Sequence, residues 1–247
     1  MVAIVIELFG FNHPTFREIL QIMAKSQKSN PIATFFIGGA GDKKGFWGVG
    51  PISNLTRKTL VRRYFYELGA TPLIGAEINQ TAEEAYYGYD ETEQLFIAIR
   101  NIHKRHPSVK IRLIGHSLGG WKAAKLTEKL AKESIPTALL ITIDPVGTVY
   151  FKSMAALLGR RGLVDITRPR PKAAVWVNLL ANHTIQYDHN DLIADAGMRW
   201  RPHRDGGLKH KPHTDHHTPY SHAEVMEMMT FSGKAGNAAW ALLMEGV

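Results

Sequence analysis

The sequence contains no cysteine. That excludes disulfides, thiolate nucleophiles and cysteine-ligated zinc, and it leaves the redox compartment undetermined. There is no apolar run of the roughly 18 residues that a membrane-crossing helix needs. The opening "MVAIVIELFGF" lacks the basic segment and small-residue cleavage site of a secretory signal. The expectation is a soluble protein, cytoplasmic or exported by a non-classical route. Internal repeats, low-complexity tracts and nucleic-acid-binding motifs are also missing, so no nucleic-acid partner is expected.

What is present is a chain of 247 residues with 45% apolar content, enough for one large core and read as a single domain, 1–247. Lysine and arginine total 30 against 22 acidic residues, a net charge of +8. Such a surface attracts anions, including the head groups of an anionic membrane. The basic residues come in scattered groups, Arg57, Lys58, Arg62 and Arg63, then Arg160, Arg161, Arg168 and Arg170. That scatter equally describes an ordinary solvated face.

Apolar periodicity gives the order of elements. "MVAIVIELFGF" reads as a strand and "TFREILQIMAKSQ" as a helix. Ile32 to Ile37 is a buried strand opening into the glycine-rich loop "IGGAGD". "TRKTLVRRYFYELG" reads as a basic amphipathic helix stopped by Gly69. The stretch from Thr81 to Pro107 reads as one helical segment, with Thr81 as N-cap. "VKIRLIGHS" is strand into turn, "GGWKAAKLTEKLAKES" a helix, and "TALLITIDPVG" and "KAAVWVNLLAN" are buried strands. From Asn182 to His222 the chain is polar and rich in Gly, Pro and His, and the final 25 residues are helical again. Alternating strands and helices predict an α/β fold, a mostly parallel central sheet with helices on both faces.

Within "IRLIGHSLGGWKAAKL", Ser117 stands between Gly115 and Gly119 where a strand becomes a helix. In a G-x-S-x-G turn the serine is held in a strained conformation, and side chains at the glycine positions would collide with the neighbouring strand and helix. The hydroxyl is thereby exposed at a helix N-terminus, where backbone N–H groups favour a developing negative charge. Gly120 lets the helix approach the sheet.

"GHSLGG" resembles the nucleophile elbow of lipases and esterases, and from about Ile32 to Val225 the order of elements is similar to the α/β-hydrolase superfamily. The resemblance implies Ser117 as nucleophile, followed in chain order by an acid and a histidine. Asp144 ends the strand "ALLITID", at the same sheet edge as Ser117, and "IDPVG" resembles the acid-bearing strand end of pancreatic-type lipases. Many members place the acid one strand later, which keeps Asp188 and Asp191 as candidates. Six histidines lie between 203 and 222. By resemblance to lipase endings, His217 is the base, with His216 and His222 as alternatives. His116 is read as structural. The oxyanion donors are expected from the backbone N–H of Leu118 and of Gly39 or Ala40. Asp42 is expected to hold that loop by a local hydrogen bond.

The implied activity is hydrolysis of a carboxylic ester, a lipid or phospholipid acyl ester first, through an acyl-enzyme and without a cofactor. A thioesterase or amidase would use the same residues. Some bacterial phospholipase effectors resemble this elbow and acid, which would add an immunity or delivery protein as partner. Residues Lys43 to Asn54, with Phe46, Trp47, Val49 and Ile52, read either as an apolar lid or as an ordinary packed loop. "HKPHTDHH" offers His210, His213, Asp215, His216 and His217 as a rival zinc site, though H-x-x-H in such a loop is a weak pattern and no metal is expected. A non-catalytic scaffold on the same fold is the last alternative.

Overall fold

Ile32–Gly38 (β1) is buried along its whole length, as its largely apolar composition requires of a strand covered on both faces, and its polar Thr34 shares a hydrogen bond with the Tyr64 hydroxyl at 2.8 Å. The computed structural model describes residues 30–43, 54–70, 80–147, 168–182, 191, 194–195, 197, 199–202, 211–232 and 238–245. The strand and helix expected before residue 30, the lid residues Phe46 to Ile52, Asp188 and His210 lie outside them.

After β1 a π-helical turn, Arg57–Val61, runs into helix α1, Arg62–Ala70. Gly69 lies inside this helix rather than stopping it. Next comes a one-turn helix α2, Ala82–Ala85, whose N-cap Thr81 accepts a bond from the Glu84 N–H while Glu84 accepts from the Thr81 N–H. An N-cap was expected at Thr81, but one continuous helix to Pro107 does not follow. Strand β2, Tyr86–Gly88, and a 3₁₀ turn, Tyr89–Glu91, precede helix α3, Thr92–Arg105. Two adjacent tyrosines favour a strand, and pairing of Phe36–Gly38 with Tyr86–Gly88 overrides the helical pattern around them.

The remaining elements are β3 Lys110–His116, α4 Leu118–Lys132, β4 Thr137–Ile143, β5 Ala173–Ala181, β6 Thr214–Thr218, α5 Val225–Thr230 and α6 Ala239–Met244. The strands form one sheet of six in the order β2-β1-β3-β4-β5-β6, every neighbouring pair parallel. This is the α/β architecture expected, a parallel central sheet with helices packed on both faces. Side-chain alternation sorts the core into two layers. Phe35, Ile37 and Leu113 pack with Ile99 of α3 and Trp121 and Leu130 of α4. Phe36, Ile114, Ile141 and Leu179 pack on the other face with Tyr64 of α1, Met228 of α5 and Leu243 of α6. Arg112, in the buried part of β3, is accounted for by its partners. Its guanidinium donates to the carbonyls of Leu243 and Glu245 at 2.5 and 2.6 Å, closing the C-terminal end of α6.

Because β2 lies on one side of β1 and β3 on the other, the chain leaves the carboxyl ends of β1 and β3 toward opposite faces of the sheet. A crevice opens there, the position where parallel sheets bind ligands. Close backbone approach at that point explains the glycines. A Cβ on Gly115 would lie 2.4 Å from the Gly119 carbonyl oxygen, and one on Gly119 would lie 2.2 Å from the Ile37 carbonyl oxygen. A Cβ on Gly120 would lie 3.0 Å from the Gly115 carbonyl oxygen and 3.1 Å from the Pro145 Cβ.

The same substitution should therefore act with opposite sign at two glycines. Gly119→Ala should cost about 3 kcal/mol, since the clashing atom is backbone. Gly69→Ala, which meets nothing within 4 Å, should stabilise by about 0.5 kcal/mol. Urea unfolding midpoints of the two variants check both.

Candidate active site

Ser117 occupies the junction of β3 and α4 with φ 57° and ψ −128°. That left-handed backbone is costly for a residue with a Cβ and persists only where surroundings impose it. Here the Ser117 N–H donates to the Ile143 carbonyl at 2.9 Å, and its own carbonyl accepts from Gly120 at 2.9 Å and Val146 at 3.1 Å. Asp144 follows β4, also with positive φ, 38°. Its N–H donates to the Leu179 carbonyl at 2.7 Å, so the turns carrying serine and aspartate are tied to each other and to β5.

The histidine brought to these residues is His222, in the loop between β6 and α5. Its Nε2 lies 3.0 Å from Ser117 Oγ and its Nδ1 2.7 Å from Asp144 Oδ2. His217 is a correction. It lies on β6, where alternation buries His216 and turns the His217 side chain outward, 58% exposed, with Asp215 as its neighbour at 3.9 Å. His216 belongs to the same strand rather than to the loop that reaches the serine. The polar run from Asn182 to His222 contains this strand, and His217 lies within it rather than in the loop beyond. A local signal for His222 was present in Ser221-His-Ala-Glu224, a helix-start pattern. The Glu224 carboxylate accepts the Ser221 N–H at 2.7 Å, fixing the backbone on either side of the histidine.

Asp144 is fully buried. Burial pushes its carboxyl upward, but the hydrogen bond and charge of His222, the Arg199 guanidinium and the Ala181 N–H together hold it below the usual carboxylate range. Oδ1 accepts from Ala181 at 3.2 Å, and Oδ2 accepts from Arg199 Nε at 2.8 Å as well as from His222. An anionic Asp144 fixes the proton of His222 on Nδ1 and leaves Nε2 as an acceptor for the serine hydroxyl. Asp191, the alternative acid, meets the His222 backbone N–H at 3.2 Å and not its ring.

His116, read as structural, supports the other side of His222. Its Nε2 lies 2.9 Å from the His222 carbonyl oxygen, and since a carbonyl only accepts, Nε2 carries the proton. The two rings lie 4.6 Å apart between centroids. Burial first, and then the charge His222 can carry, push the His116 imidazole down to about 3. It is a neutral ring packed beside His222.

The loop after β1 closes the site. A Cβ on Gly39 would lie 2.8 Å from Ser117 Cβ and 3.3 Å from its Oγ, so the Gly39–Ala40 backbone runs beside the hydroxyl. Leu118 is the first residue of α4, where helix N–H groups have no intrahelical carbonyl. Asp42 holds this loop locally, its N–H donating to the Gly39 carbonyl at 3.3 Å, and to more distant partners as well. Its carboxylate accepts the Thr56 N–H at 3.1 Å and its carbonyl accepts the Asn54 N–H at 2.9 Å. Burial raises its carboxyl above the usual range, offset in part by those bonds.

Among the described residues no group of three or more His, Asp or Glu side chains is arranged to hold a metal ion. His213 Nδ1 instead accepts from the Trp176 N–H at 3.0 Å, and Asp215 accepts from Asn178 at 2.7 Å. Among the same residues no helix is long and apolar enough to cross a membrane.

No family model matches the sequence, and no curated protein matches it. Among solved structures the chain is similar to the NocB thioesterase domain, determined as a covalent complex with a fluorophosphonate nocardicin G analog. Identity is 12%, the match covers 67% of this chain and 78% of that one, and the TM-score is 0.34.

His116 gives a pH dependence with a definite sign. Between 6.5 and about 3 the unfolded chain holds a proton at this position that the folded chain does not, so stability falls as pH falls through that window. Asp144, depressed when folded, adds a further loss only below its ordinary value of 3.8. Urea unfolding at pH 7 and pH 5 should show the wild type losing about 2 kcal/mol more than His116→Gln, a variant whose side-chain amide can still donate to the His222 carbonyl.

Proposed function

We propose that this chain is a serine hydrolase cleaving carboxylic esters, with Ser117 as nucleophile, His222 as general base and then acid, and Asp144 as the group that orients His222. The supporting observation is the continuous hydrogen-bonded line from Ser117 Oγ through His222 to Asp144, at 3.0 and 2.7 Å, on a serine held at positive φ. His222 Nε2 takes the serine proton as Oγ bonds to the ester carbonyl carbon. The charge that develops on the carbonyl oxygen is met by the N–H of Leu118 and by that of Gly39 or Ala40. As the tetrahedral species collapses, the ester C–O bond breaks and His222 returns the proton to the departing alcohol oxygen. Water then repeats the sequence on the acyl-enzyme, releasing the acid and restoring Ser117. The reaction requires no cofactor.

The substrate class we favour is a lipid or phospholipid acyl ester. Its support is the resemblance of "GHSLGG" and of the acid at the end of β4 to lipases, together with the net charge of +8, which suits an anionic surface.

Fluorophosphonate labelling, with the modified peptide mapped by mass spectrometry, tests the chemistry. Wild type and His217→Ala should label at Ser117, Ser117→Ala should not, and His222→Ala should react at least about 10³-fold more slowly. Loss of label in His217→Ala with His222→Ala intact would reverse the assignment of the base. Phospholipid dispersions and short soluble esters and thioesters then test the substrate class. Turnover of thioesters alone would remove the lipid reading.

A further inference from the structure

Arg199 is the charged side chain that the mechanism above leaves without a task, yet it is 2% exposed and touches the centre of the site. Its Nε donates to Asp144 Oδ2 at 2.8 Å. The terminal nitrogen Nη2 donates to Asp191 Oδ1, and Nη1 donates to Asp195 Oδ1 at 2.9 Å. The Asp191 oxygen that Arg199 holds also accepts the backbone N–H of His222, at 3.2 Å. A ring is closed by these bonds. It passes from the His222 ring to Asp144, through the Arg199 guanidinium to Asp191, and back to the His222 backbone.

The guanidinium is not carried on a loose arm. Arg199 forms an antiparallel bridge with Val146, two residues past Asp144. Trp200 donates its N–H to the Pro145 carbonyl at 2.7 Å. The Trp200 ring stacks on Trp176 and meets Trp121 edge-on, each with centroids 5.5 Å apart. The side chain is therefore delivered from the core. Charge follows the same logic. Asp144 and Asp191 are both fully buried, and Arg199 supplies one positive charge against these two and the exposed Asp195. The second positive charge is the one that His222 acquires when it takes the serine proton.

We propose that Arg199 and Asp191 are positioning residues that clamp His222 by ring and backbone together and so set its alignment between Asp144 and Ser117. The inference rests on the serine hydrolase reading for its consequence in rate, but not for its geometric content.

The test uses the full chain as wild type, Arg199→Gln, Arg199→Lys, Asp191→Asn and Asp191→Ala. Two quantities are read: the second-order rate of fluorophosphonate labelling at Ser117, and the proton NMR resonance of His222 Nδ1–H. Arg199→Gln should slow labelling on the order of 10- to 100-fold and shift or broaden that resonance, with far-ultraviolet circular dichroism unchanged. Arg199→Lys should recover part of both. Asp191→Asn, which keeps an oxygen for the His222 N–H, should cost less than Asp191→Ala. Should Arg199→Gln fail to fold, the order of the two Asp191 variants decides. Wild-type rates with an unmoved resonance in Arg199→Gln, or equal effects of Asp191→Asn and Asp191→Ala, would overturn the clamp while leaving the hydrolase reading in place. Wild type that does not label, yet whose His222 resonance responds to Arg199 and Asp191 as described, would overturn the hydrolase reading and uphold the clamp.

Discussion

Three backbone segments cross at Ser117 with no room for a methyl group between them: the end of β1, the end of β3 and the first turn of α4. The gaps that a Cβ would need at Gly115 and Gly119 are already filled by carbonyl oxygens of α4 and β1. Closeness of this kind forces the chain to turn from strand to helix within one residue. Ser117 takes the positive φ that results. Strain at one residue is tolerated because its neighbours are anchored by the sheet, from Ile143 on β4 and by Val146 beyond it. The exposed hydroxyl and the adjacent Leu118 N–H are two consequences of the same turn.

A second constraint is a buried charge. Asp144 has no exposed surface, and an isolated carboxylate in that position would protonate rather than remain an anion. Its surroundings answer this with an N–H from Ala181, a guanidinium from Arg199 and the ring N–H of His222. Each donor comes from a different element, so the orientation of the histidine depends on the whole carboxyl edge of the sheet. His116 completes the arrangement as a ring that burial keeps neutral beside His222.

How much of this could be read from the sequence depended on how local its cause is. The elbow was legible because the steric requirement for glycine falls two residues either side of the serine. Asp144 was legible for a similar reason, as a polar residue ending an apolar strand before a proline. Strand β2 was not, because its three residues are held by pairing with Phe36–Gly38, a contact about 50 residues away in the chain, inside a helical pattern. His222 was hidden for a related reason. Which histidine of a polar run reaches the serine depends on whether that run contains a strand, and β6 is stabilised by partners on β5 rather than by its own composition, Thr-Asp-His-His-Thr. Once that strand is known, His217 must face away from His216, and the first histidine free of the sheet is His222. Arg199 left no trace at all, being one of several arginines in a segment without periodicity.

The contrast between the residues also says something about rigidity. Ser117 and Asp144 leave from strand ends, and their positions follow from sheet register. His222 leaves from a loop, where no ladder of hydrogen bonds fixes the backbone. Its neighbourhood substitutes individual bonds for the missing ladder: Glu224 to the Ser221 N–H, Asp191 to the His222 N–H and His116 to the His222 carbonyl. Both backbone polar groups of His222 are thus held by side chains, as is the N–H of the residue before it. A loop histidine braced in this way can keep one ring orientation, which the proposed general base would require.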